Sequence, residues 1–565
     1  MCEKLYYPLA NGDSKPFYRY VKEIKGNNNS ISSIQISEKT SSNDLSDIAN
    51  TLNLYFHSVF TPACVLPEAP APTDADNILV TSEGVLKLIK SLKNGKASGP
   101  DSISKQKLLL SPEIISSLLA SIYNYTLTTG TLPSEWKLAH VTPIFKQGNR
   151  ELPSNYRPIS LTSIVCKMME HIILHLMQNK LNEILSINQH GFRSHLSCTT
   201  QLACLTHDIL SNMDNGMATH AAVLDFSKAF DLVPHHLLIQ KLIEYKVNPL
   251  LVKWISSFLT SRFQRVVIKG HKSDAVAVTS GVPQGSVLGP ALFTLFINDI
   301  TKCVKYCTVR LFADDTILYT HISKDEDKEN LQNDLNALHN WSIKNSMKFN
   351  ATKSNIIVFD KSPKPITHTY YLSNEQLVQS SCVKYLGIYL VHDLKWDYHI
   401  NSVVNKAMRI LGLIKNVLYD APVKVKLIAY NTLCRPLLEY ACEIWDPAHL
   451  MLSNNLEKVQ NKAVRFVKNL KGWDVSVTES KAELNLKALN KSRQEHRFTL
   501  FFKVLQHEAF FPNLINTLNS MKSLRNTNIG DSNSFNSISC NTNKFLHSFL
   551  IRTARELRMG ETLAD

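Results

Sequence analysis

The sequence contains no long hydrophobic run. No stretch approaches the roughly 18 uncharged apolar residues that a membrane-spanning helix needs. Residues 1–16, MCEKLYYPLANGDSKP, are polar where a secretory leader would be apolar. The 11 cysteines are scattered without a CxxC pair, and Cys303 and Cys307 have no partner pair at zinc-finger spacing. We therefore expect an intracellular protein of the nucleus or cytoplasm that is not secreted, enters no membrane and binds no zinc.

Acidic residues are few beside the basic ones. The chain has 48 Asp and Glu against 62 Lys and Arg, which gives a net charge of +14. This balance favours a polyanionic partner, most commonly nucleic acid, although it also serves simply to keep a large protein soluble. With 44% hydrophobic and 19% charged residues in 565, the composition excludes coiled-coil and wholly disordered chains. At about 150 residues per domain, the length predicts three or four units.

The order of apolar patterns predicts an α+β fold. Asn/Ser-rich segments at 27–47 and 526–543 indicate loops. Helical periodicity covers residues 48–60, 167–185, 234–245, 250–259, 290–297, 325–346 and the segment after 396. Strand patterns cover 137–145, 221–226, 264–268, 275–279, 355–359 and 385–390, and a hairpin covers 308–319. Hairpins mixed with helices, rather than strict strand–helix–strand alternation, are typical of α+β domains.

Three aspartates lie where carboxylates are costly unless they are used. Asp225 ends the apolar run AAVLDF, and Asp314 and Asp315 lie between LFA and TILY. If these segments are neighbouring strands, about 4.8 Å apart, their carboxylates converge and repel one another unless a cation is present. Hard oxygen ligands select Mg²⁺ or Mn²⁺, and a pair of such ions promotes phosphoryl transfer. The alternative is that the Asp-Asp pair is only the corner of a hairpin.

Further motifs along the chain favour a functional role for these aspartates. AAVLDFSKAFDLVPH (221–235), SGVPQGSVLGP (280–290) and FADD (312–315) resemble, in this order, motifs A, B and C of reverse transcriptases from non-LTR (LINE-type, jockey/CR1-like) retrotransposons. Flanking segments extend the resemblance over about residues 50–470: SGPDSI (98–103) and residues 143–163 resemble the fingers motifs, residues 188–202 the segment before motif A, MKFNATKS (347–354) motif D, KYLGIYL (384–390) the primer-grip strand, and residues 435–447 and 456–467 the helices after the palm.

The resemblance implies a right-hand polymerase. Its units would be a partly disordered N-terminal connector (1–80), fingers (81–220), a palm with an antiparallel sheet (221–395) and a helical thumb-like region (396–475). A helical and low-complexity tail (476–565) would follow, and the reverse transcriptase core would span 125–391. The N-terminal segment is too short for the endonuclease that such elements usually carry, and no ribonuclease H module is visible. We therefore expect a chain that polymerises without nicking its target.

The resemblance also implies roles around the aspartates. Asp225 and Asp314, with the Phe226 carbonyl, would bind two Mg²⁺ ions, with Mn²⁺ as the alternative, and Asp315 would add supporting charge. Lys353 would donate a proton to the departing pyrophosphate. Phe230 would lie under the incoming sugar and exclude a ribose 2′-hydroxyl, which predicts a preference for dNTPs. The structural alternatives are an exposed lysine at 353 and a core aromatic at 230.

Further residues would hold the nucleotide and the nucleic acid. Lys146 and Arg157 would bind the triphosphate, and Gln284 and Gly285 would lie in a loop beneath the nucleotide and template. Gly387 would lie in the primer grip, and a basic helix face of Lys458, Lys462 and Arg465 would follow the phosphate backbone. Without the neighbouring motifs, these residues would be interpreted as turn residues and solvated charges.

The expected function is that of an RNA-directed DNA polymerase, a nucleotidyltransferase. It would extend a DNA primer 3′-OH with dNTPs on an RNA template, and the sequence identifies no protein partner. Two alternatives belong to other classes of function. One is a folded, inactive retrotransposon relic that only binds nucleic acid, and the other is a basic interaction protein whose motifs are coincidental.

Overall fold

The computed structural model describes residues 8, 15–24, 31–37, 40–73, 77–93, 98–361, 368–470, 476–521 and 539–558. Helices and strands are mixed along these ranges, which confirms the mixed fold class. No helix in the described ranges is long and apolar enough to cross a membrane. Most of the Asn/Ser-rich segment over 526–543 lies outside the described residues.

Strands form two larger sheets and several short hairpins. The strands are β1 (Ile34–Ser37), β2 (Thr40–Ser42), β3 (Leu138–Phe145), β4 (Tyr156–Leu161), β5 (Ala218–Leu224), β6 (Arg262–Ile268), β7 (His271–Lys272), β8 (Val276–Val278), β9 (Thr308–Phe312), β10 (Asp315–Ile322), β11 (Asn355–Phe359), β12 (Tyr371–Leu372), β13 (Glu375–Gln376), β14 (Val378–Gln379), β15 (Cys382–Tyr385) and β16 (Ile388–Val391).

Helices fall into three groups along the chain. Those before β5 are α1 (Lys15–Ile24), α2 (Leu45–Ser58), α3 (Ser82–Ser91), α4 (Lys105–Leu108), α5 (Pro112–Thr129), α6 (Ser134–Lys137), α7 (Ile164–Ile184) and α8 (Cys198–Asp214). Those between β5 and β11 are α9 (Ala229–Leu232), α10 (His235–Glu244), α11 (Pro249–Leu259), α12 (Gly289–Ile297) and α13 (Asp325–Lys344). Those after β16 are α14 (Asp397–Val417), α15 (Val423–Ala429), α16 (Arg435–Glu439), α17 (Cys442–Trp445), α18 (Leu450–Val467), α19 (Val477–Glu483), α20 (Leu489–Gln506), α21 (Pro512–Met521), α22 (Asn543–Leu546) and α23 (Phe549–Arg558).

The central sheet has the order β14-β11-β5-β10-β9, and only its β11–β14 edge pair is parallel. Side chains alternate between its two faces. Ala222, Leu224 and Leu318 lie in a core with α7, α10, α11 and α12, whereas Ala221 and Ile317 lie in a second core with α8 and the helices after β16. Because helices cover both faces, β5 is a nearly continuous apolar run. The predicted hairpin over 308–319 is confirmed as β9–β10.

The second five-stranded sheet connects β3 and β4 with a later part of the chain. Its order is β4-β3-β6-β7, and β8 pairs with β6. The β6–β8 pair is antiparallel, which confirms the predicted strands over 264–268 and 275–279. Arg157 lies in β4 opposite Ile144 of β3, and Lys146 follows the last residue of β3. This sheet therefore carries both predicted phosphate-binding side chains at one end.

Two sequence predictions about local structure are wrong. The segment over 27–47 is not a plain loop, because its described part forms the β1–β2 hairpin with Ile34 fully buried in a small core with α2. Residues 385–390 do not form one strand. Leu386 and Gly387 have positive φ angles of 43° and 85° and form the turn between β15 and β16. In the first segment, burial of one isoleucine stabilises a hairpin despite the Asn/Ser-rich composition. In the second, a left-handed turn interrupts an otherwise strand-like apolar run.

A buried ion cluster joins α20 and α23 to the segment between α17 and α18. The Asp446 carboxylate pairs with Arg493 at 2.5 Å, Arg497 at 3.0 Å and Arg552 at 3.3 Å. Arg497 also contacts Glu556 at 2.7 Å, and both Arg493 and Arg497 are 1% exposed. Two guanidinium groups out of water are tolerated only while their carboxylate partners remain charged.

Asp446→Asn should therefore destabilise this region. We expect the free energy of local opening of α20 and α23 to fall by about 3–5 kcal/mol, because the substitution leaves two buried arginines underpaired. Hydrogen exchange of the backbone amides in these helices measures the effect. Glu83→Gln, which removes an exposed i,i+4 pair with Lys87, is the matched control and should change nothing measurable. Unchanged protection in Asp446→Asn would contradict the assignment.

Candidate active site

One open cavity of about 580 Å³ lies where the central sheet meets the β3–β4 turn. The predicted metal-binding, nucleotide-binding and proton-donating residues all line it: Lys146, Arg157, Asp225, Phe226, Phe230, Gln284, Gly285, Asp314, Asp315 and Lys353. These residues come from segments up to 207 positions apart (353 − 146) in the sequence. Only the tertiary fold brings them to one volume.

The pairing of β5 with β10 brings the aspartates together. Leu224 lies opposite Thr316, so Asp225, just after β5, lies at the same end of the strands as Asp314, just before β10, and Asp315, the first residue of β10. Ala313 has a φ of 55°, the left-handed conformation that a two-residue hairpin turn requires. Asp-Asp is thus both the corner of a hairpin and part of an acidic group beside a second strand.

Backbone contacts hold Asp225 against the segment over 347–354. The Asp225 carbonyl accepts from the Asn350 amide at 2.7 Å, and its own amide donates to the Ser354 hydroxyl at 3.2 Å. The Phe226 ring stacks on Phe349 with 4.2 Å between centroids. These contacts bring Lys353, in a short 3₁₀ turn, to the cavity wall.

The acidic group carries unfavourable charge crowding. Burial raises the pKa of Asp314, and the nearby Asp225 carboxylate raises it further. Burial, then the charges of Asp314 and Asp225, raise the pKa of Asp315 to about 6, although this side chain keeps a solvent-exposed edge. Three hard oxygen donors that repel one another fit a divalent cation, which would restore their ionised forms. Phe226 also lines this cavity.

Basic side chains also line this cavity. Burial lowers the pKa of the Lys146 ammonium, and the positive charges of Arg157 and Lys353 lower it further. Both Lys146 and Arg157 are exposed to the cavity. The cations repel one another and share a cavity of about 580 Å³ with an acidic group. Such cations can bind a polyanion such as a triphosphate.

Phe230 and the loop over 283–285 form the floor between these charges. Phe230 is half-buried and stacks on Phe293 with 4.5 Å between centroids, so it is a core aromatic and a cavity residue at once. Gly285 has a φ of 114°, and a Cβ there would lie 2.7 Å from the Ser160 carbonyl. The Ser160 amide donates to the Gln284 carbonyl at 2.7 Å. The glycine is therefore required by the close approach of the loop to β4.

Three supporting side chains escaped the sequence reasoning. Gln189 Oε1 accepts from the Ala313 amide at 3.0 Å and so fixes the Asp-Asp turn. The buried Glu170 carboxylate accepts from the amides of Val287 at 2.6 Å and Leu288 at 3.1 Å, just before α12. Asp231 binds the Gln284 side chain. Of the three, only Asp231 could have been noticed in the sequence. A carboxylate inside the apolar segment AFDLV is unfavourable to bury unless it has a hydrogen-bond or charged partner.

The four predicted primer and template residues do not line this cavity. Gly387 lies in the β15–β16 turn, where a Cβ would come within 2.9 Å of the Tyr440 ring. Lys458 and Lys462 are exposed on α18, and Arg465 is half-buried on the same helix. The opposite face of α18 buries Leu456 and Val459, so the predicted two-sided character of this helix is confirmed.

Comparisons with known proteins agree with this geometry. Residues 144–390 match the family described as reverse transcriptase (RNA-dependent DNA polymerase). The chain is 30% identical over 442 residues to the probable RNA-directed DNA polymerase from transposon BS of Drosophila melanogaster, over 76% of this chain and 49% of that protein. It is 29% identical over 445 residues to the RNA-directed DNA polymerase from mobile element jockey of the same fly, over 76% and 48%.

The chain thus spans about half the length of the curated relatives it matches. A solved structure of apo telomerase from Candida tropicalis, truncated from its C-terminal domain, gives a TM-score of 0.35 at 11% identity, over 51% of this chain and 65% of that chain. This structural likeness is too weak to carry an argument. Residues 144–390 thus match the reverse transcriptase family, and over about three quarters of its length the chain is similar to the RNA-directed DNA polymerases of transposon BS and mobile element jockey.

Proposed function

We propose that this chain is an RNA-directed DNA polymerase that extends a primer 3′-OH with dNTPs on an RNA template. The observation that carries the proposal is the single cavity in which Asp225, Asp314 and Asp315 face Lys146 and Arg157. Acidic groups that attract divalent cations and basic groups that attract a triphosphate are the two requirements of nucleotidyl transfer. The reverse transcriptase match over residues 144–390 supports the same reaction.

The proposal includes a right-hand arrangement. The sheet of β3, β4 and β6 would belong mainly to the fingers (81–220), the central sheet to the palm (221–395), and the helices from α14 to α18 to the thumb-like region (396–475). The helices after residue 476 would form the tail, and residues 1–80 the connector. Two large cores on opposite faces of the central sheet support a division of this kind.

Asp225, Asp314 and the Phe226 carbonyl would hold two Mg²⁺ ions, or Mn²⁺, with Asp315 adding charge. When bound, such ions activate the attacking 3′-oxygen and stabilise the charge that develops on the phosphate. The raised pKa values of Asp314 and Asp315 support this assignment, because burial first, and then the neighbouring carboxylates, disfavour their charged forms where no counterion is present. Ligands that hold protons near neutral pH release them when a cation binds.

The other cavity residues would bind and orient the nucleotide. Lys146 and Arg157 would hold the triphosphate, and the Phe230 ring would lie against the sugar, where a ribose 2′-hydroxyl would clash. Gln284 and Gly285 would form the floor, and Lys353 would give its proton to the departing pyrophosphate. The RNA–DNA duplex would lie along Gly387 and the α18 face of Lys458, Lys462 and Arg465, held by contacts that weaken as salt rises.

Asp314→Asn tests the reaction directly. We expect primer extension on an RNA template with dNTPs and Mg²⁺ to fall by at least about a hundredfold, because one metal-binding carboxylate is lost. Binding of the RNA–DNA duplex should be retained. Asp420→Asn, on the exposed surface, is the control and should extend normally. If the natural chain binds duplex but does not extend it, the proposed activity is wrong and the chain only binds nucleic acid.

Phe230→Val tests the discrimination between dNTPs and rNTPs. A smaller side chain removes the clash with the 2′-hydroxyl, so we expect the ratio of rNTP to dNTP incorporation to rise by at least about tenfold. Single-nucleotide extension with each nucleotide type measures this ratio. Phe293→Leu, which alters the ring stacked beneath Phe230, is the control for loss of packing alone and should change the ratio less. Unchanged selectivity in Phe230→Val would refute the role.

Asp315→Asn tests the charge crowding. The pKa of Asp315 in the folded chain, about 6, lies above its ordinary value, so the native state binds more protons than the unfolded state between about pH 4 and pH 6. Without divalent ions, stability should fall as pH rises through this window. The variant should melt at a higher temperature than the natural chain at pH 7 in chelator, and Mg²⁺ should stabilise it less. Equal melting temperatures and equal Mg²⁺ effects would contradict this account.

A further inference from the structure

Asp231 makes a side-chain contact with the floor of the cavity. The Gln284 Nε2 donates to Asp231 Oδ1 at 2.9 Å, and both residues line the cavity. An ionised carboxylate has no proton to give, so only the amide nitrogen of Gln284 can face it. The Gln284 Oε1 is thereby directed away from Asp231. This one contact thus determines that Gln284 turns its nitrogen, and not its oxygen, toward Asp231.

A short backbone ladder fixes the two residues relative to each other. The Val282 amide donates to the Phe230 carbonyl at 2.8 Å, and the Gly281 amide donates to the Val233 carbonyl at 2.8 Å. The Ser280 hydroxyl donates to the Asp231 carbonyl at 2.8 Å. A Cβ at Gly281 would lie 2.7 Å from the Phe230 carbonyl, so the segments are in close contact. The Asp231–Gln284 bond continues this ladder into the cavity.

Asp231 keeps its place at an energetic cost. Burial raises the pKa of its carboxyl to about 6, against the opposing effects of the Gln284 hydrogen bond and of the Lys228 and Arg157 charges. A carboxylate in this position is more costly than an apolar residue of similar size would be. The Gln284 amide gives this carboxylate a hydrogen bond that an apolar residue could not accept.

We propose that Asp231 is a positioning residue that holds the Gln284 side chain with its carbonyl oxygen toward the nucleotide. The proposal rests on the proposed polymerase function and names a further requirement of that site. With Oε1 presented, Gln284 accepts a hydrogen bond from a hydroxyl or amino group of the incoming nucleotide. Without Asp231, the amide is free to rotate and to present its nitrogen, which offers no acceptor. Asp231 would then set the affinity for the nucleotide without touching it.

A double-mutant cycle tests this role. The four forms are the natural chain, Asp231→Ala, Gln284→Ala and the double variant. Each single substitution should raise the KM for dNTP by about tenfold, the loss expected for one hydrogen bond to a charged or well-oriented group. The double variant should lose about tenfold as well, rather than about a hundredfold, because both changes remove the same contact with the nucleotide. Asp231→Asn should raise the KM less than Asp231→Ala does, because its carbonyl oxygen accepts the same bond in one orientation of the Gln284 amide, while its amide nitrogen donates to Oε1 in the other.

A second readout separates this proposal from the polymerase function. The affinity for dNTP of the enzyme bound to a dideoxy-terminated primer on RNA is measured by titration, which needs no chemistry. If the natural chain does not extend primers, the proposed function fails, while the titration still decides the cycle. Asp334→Ala removes another buried carboxylate, one that accepts from the amides of residues 305–307, and should not change dNTP affinity.

Three outcomes would overturn the proposal. The first is an unchanged dNTP affinity in Asp231→Ala. The second is a multiplicative loss of about a hundredfold in the double variant, which would mean that the two side chains act separately. The third is a loss in Asp231→Asn equal to that in Asp231→Ala, together with a lower melting temperature, which is the behaviour of a purely structural residue.

Discussion

The antiparallel pairing of β5 with β10 sets Leu224 opposite Thr316, and this register fixes where the acidic segments meet. A shift of one residue would move Asp314 along Asp225 by about 3.4 Å and turn each side chain of the strand to the opposite face. Side-chain contacts also tie β9 and β10 to α8. Arg310 on β9 donates to the Tyr319 hydroxyl at 2.6 Å and to Asp208 of α8 at 2.7 Å, so a buried ion pair joins the sheet to a helix.

The site combines two kinds of charge crowding that a single polar cavity would not otherwise tolerate. The pKa of the Asp315 carboxyl at the end of the central sheet is raised, and the pKa of the Lys146 ammonium is lowered. A ligand of opposite charge would relieve each imbalance: a divalent cation beside the carboxylates and a phosphate chain beside Lys146. The free chain is therefore strained electrostatically in the sense that favours binding both ligands together.

Main-chain contacts, rather than loops free in solvent, assemble the cavity wall. The segment over 347–354 is bonded to the end of β5 through Asn350, and the loop at Gln284 is bonded to β4 through Ser160. Glu170, from a helix of the first core, accepts from the backbone just before α12. Because these anchors belong to separate parts of the sequence, the orientation of the cavity side chains depends on the packing of the whole first core.

The sequence by itself predicted the type of chemistry and determined the order of the motifs along the chain. Ordered motifs around Asp225, Gln284 and Asp314 predicted a polymerase site, and apolar periodicity predicted the β9–β10 hairpin and the long helices, because these signals are local. The residue patterns alone did not indicate which distant segments would meet in the fold. Only the tertiary structure decided that Lys146, Phe230 and Lys353 share one cavity.

Contacts between distant segments also explain why some predictions from the sequence were wrong or incomplete. The composition of 27–47 hid a hairpin anchored by Ile34, and the apolar run at 385–390 hid a turn that Gly387 permits. Asp231 and the buried cluster around Asp446 depend on partners 53 and 47–106 residues away in the sequence. Hydrogen bonds and ion pairs of this kind form only after the chain has folded. For this reason the sequence specified the candidate site residues, and the packed structure specified which contacts hold them in place.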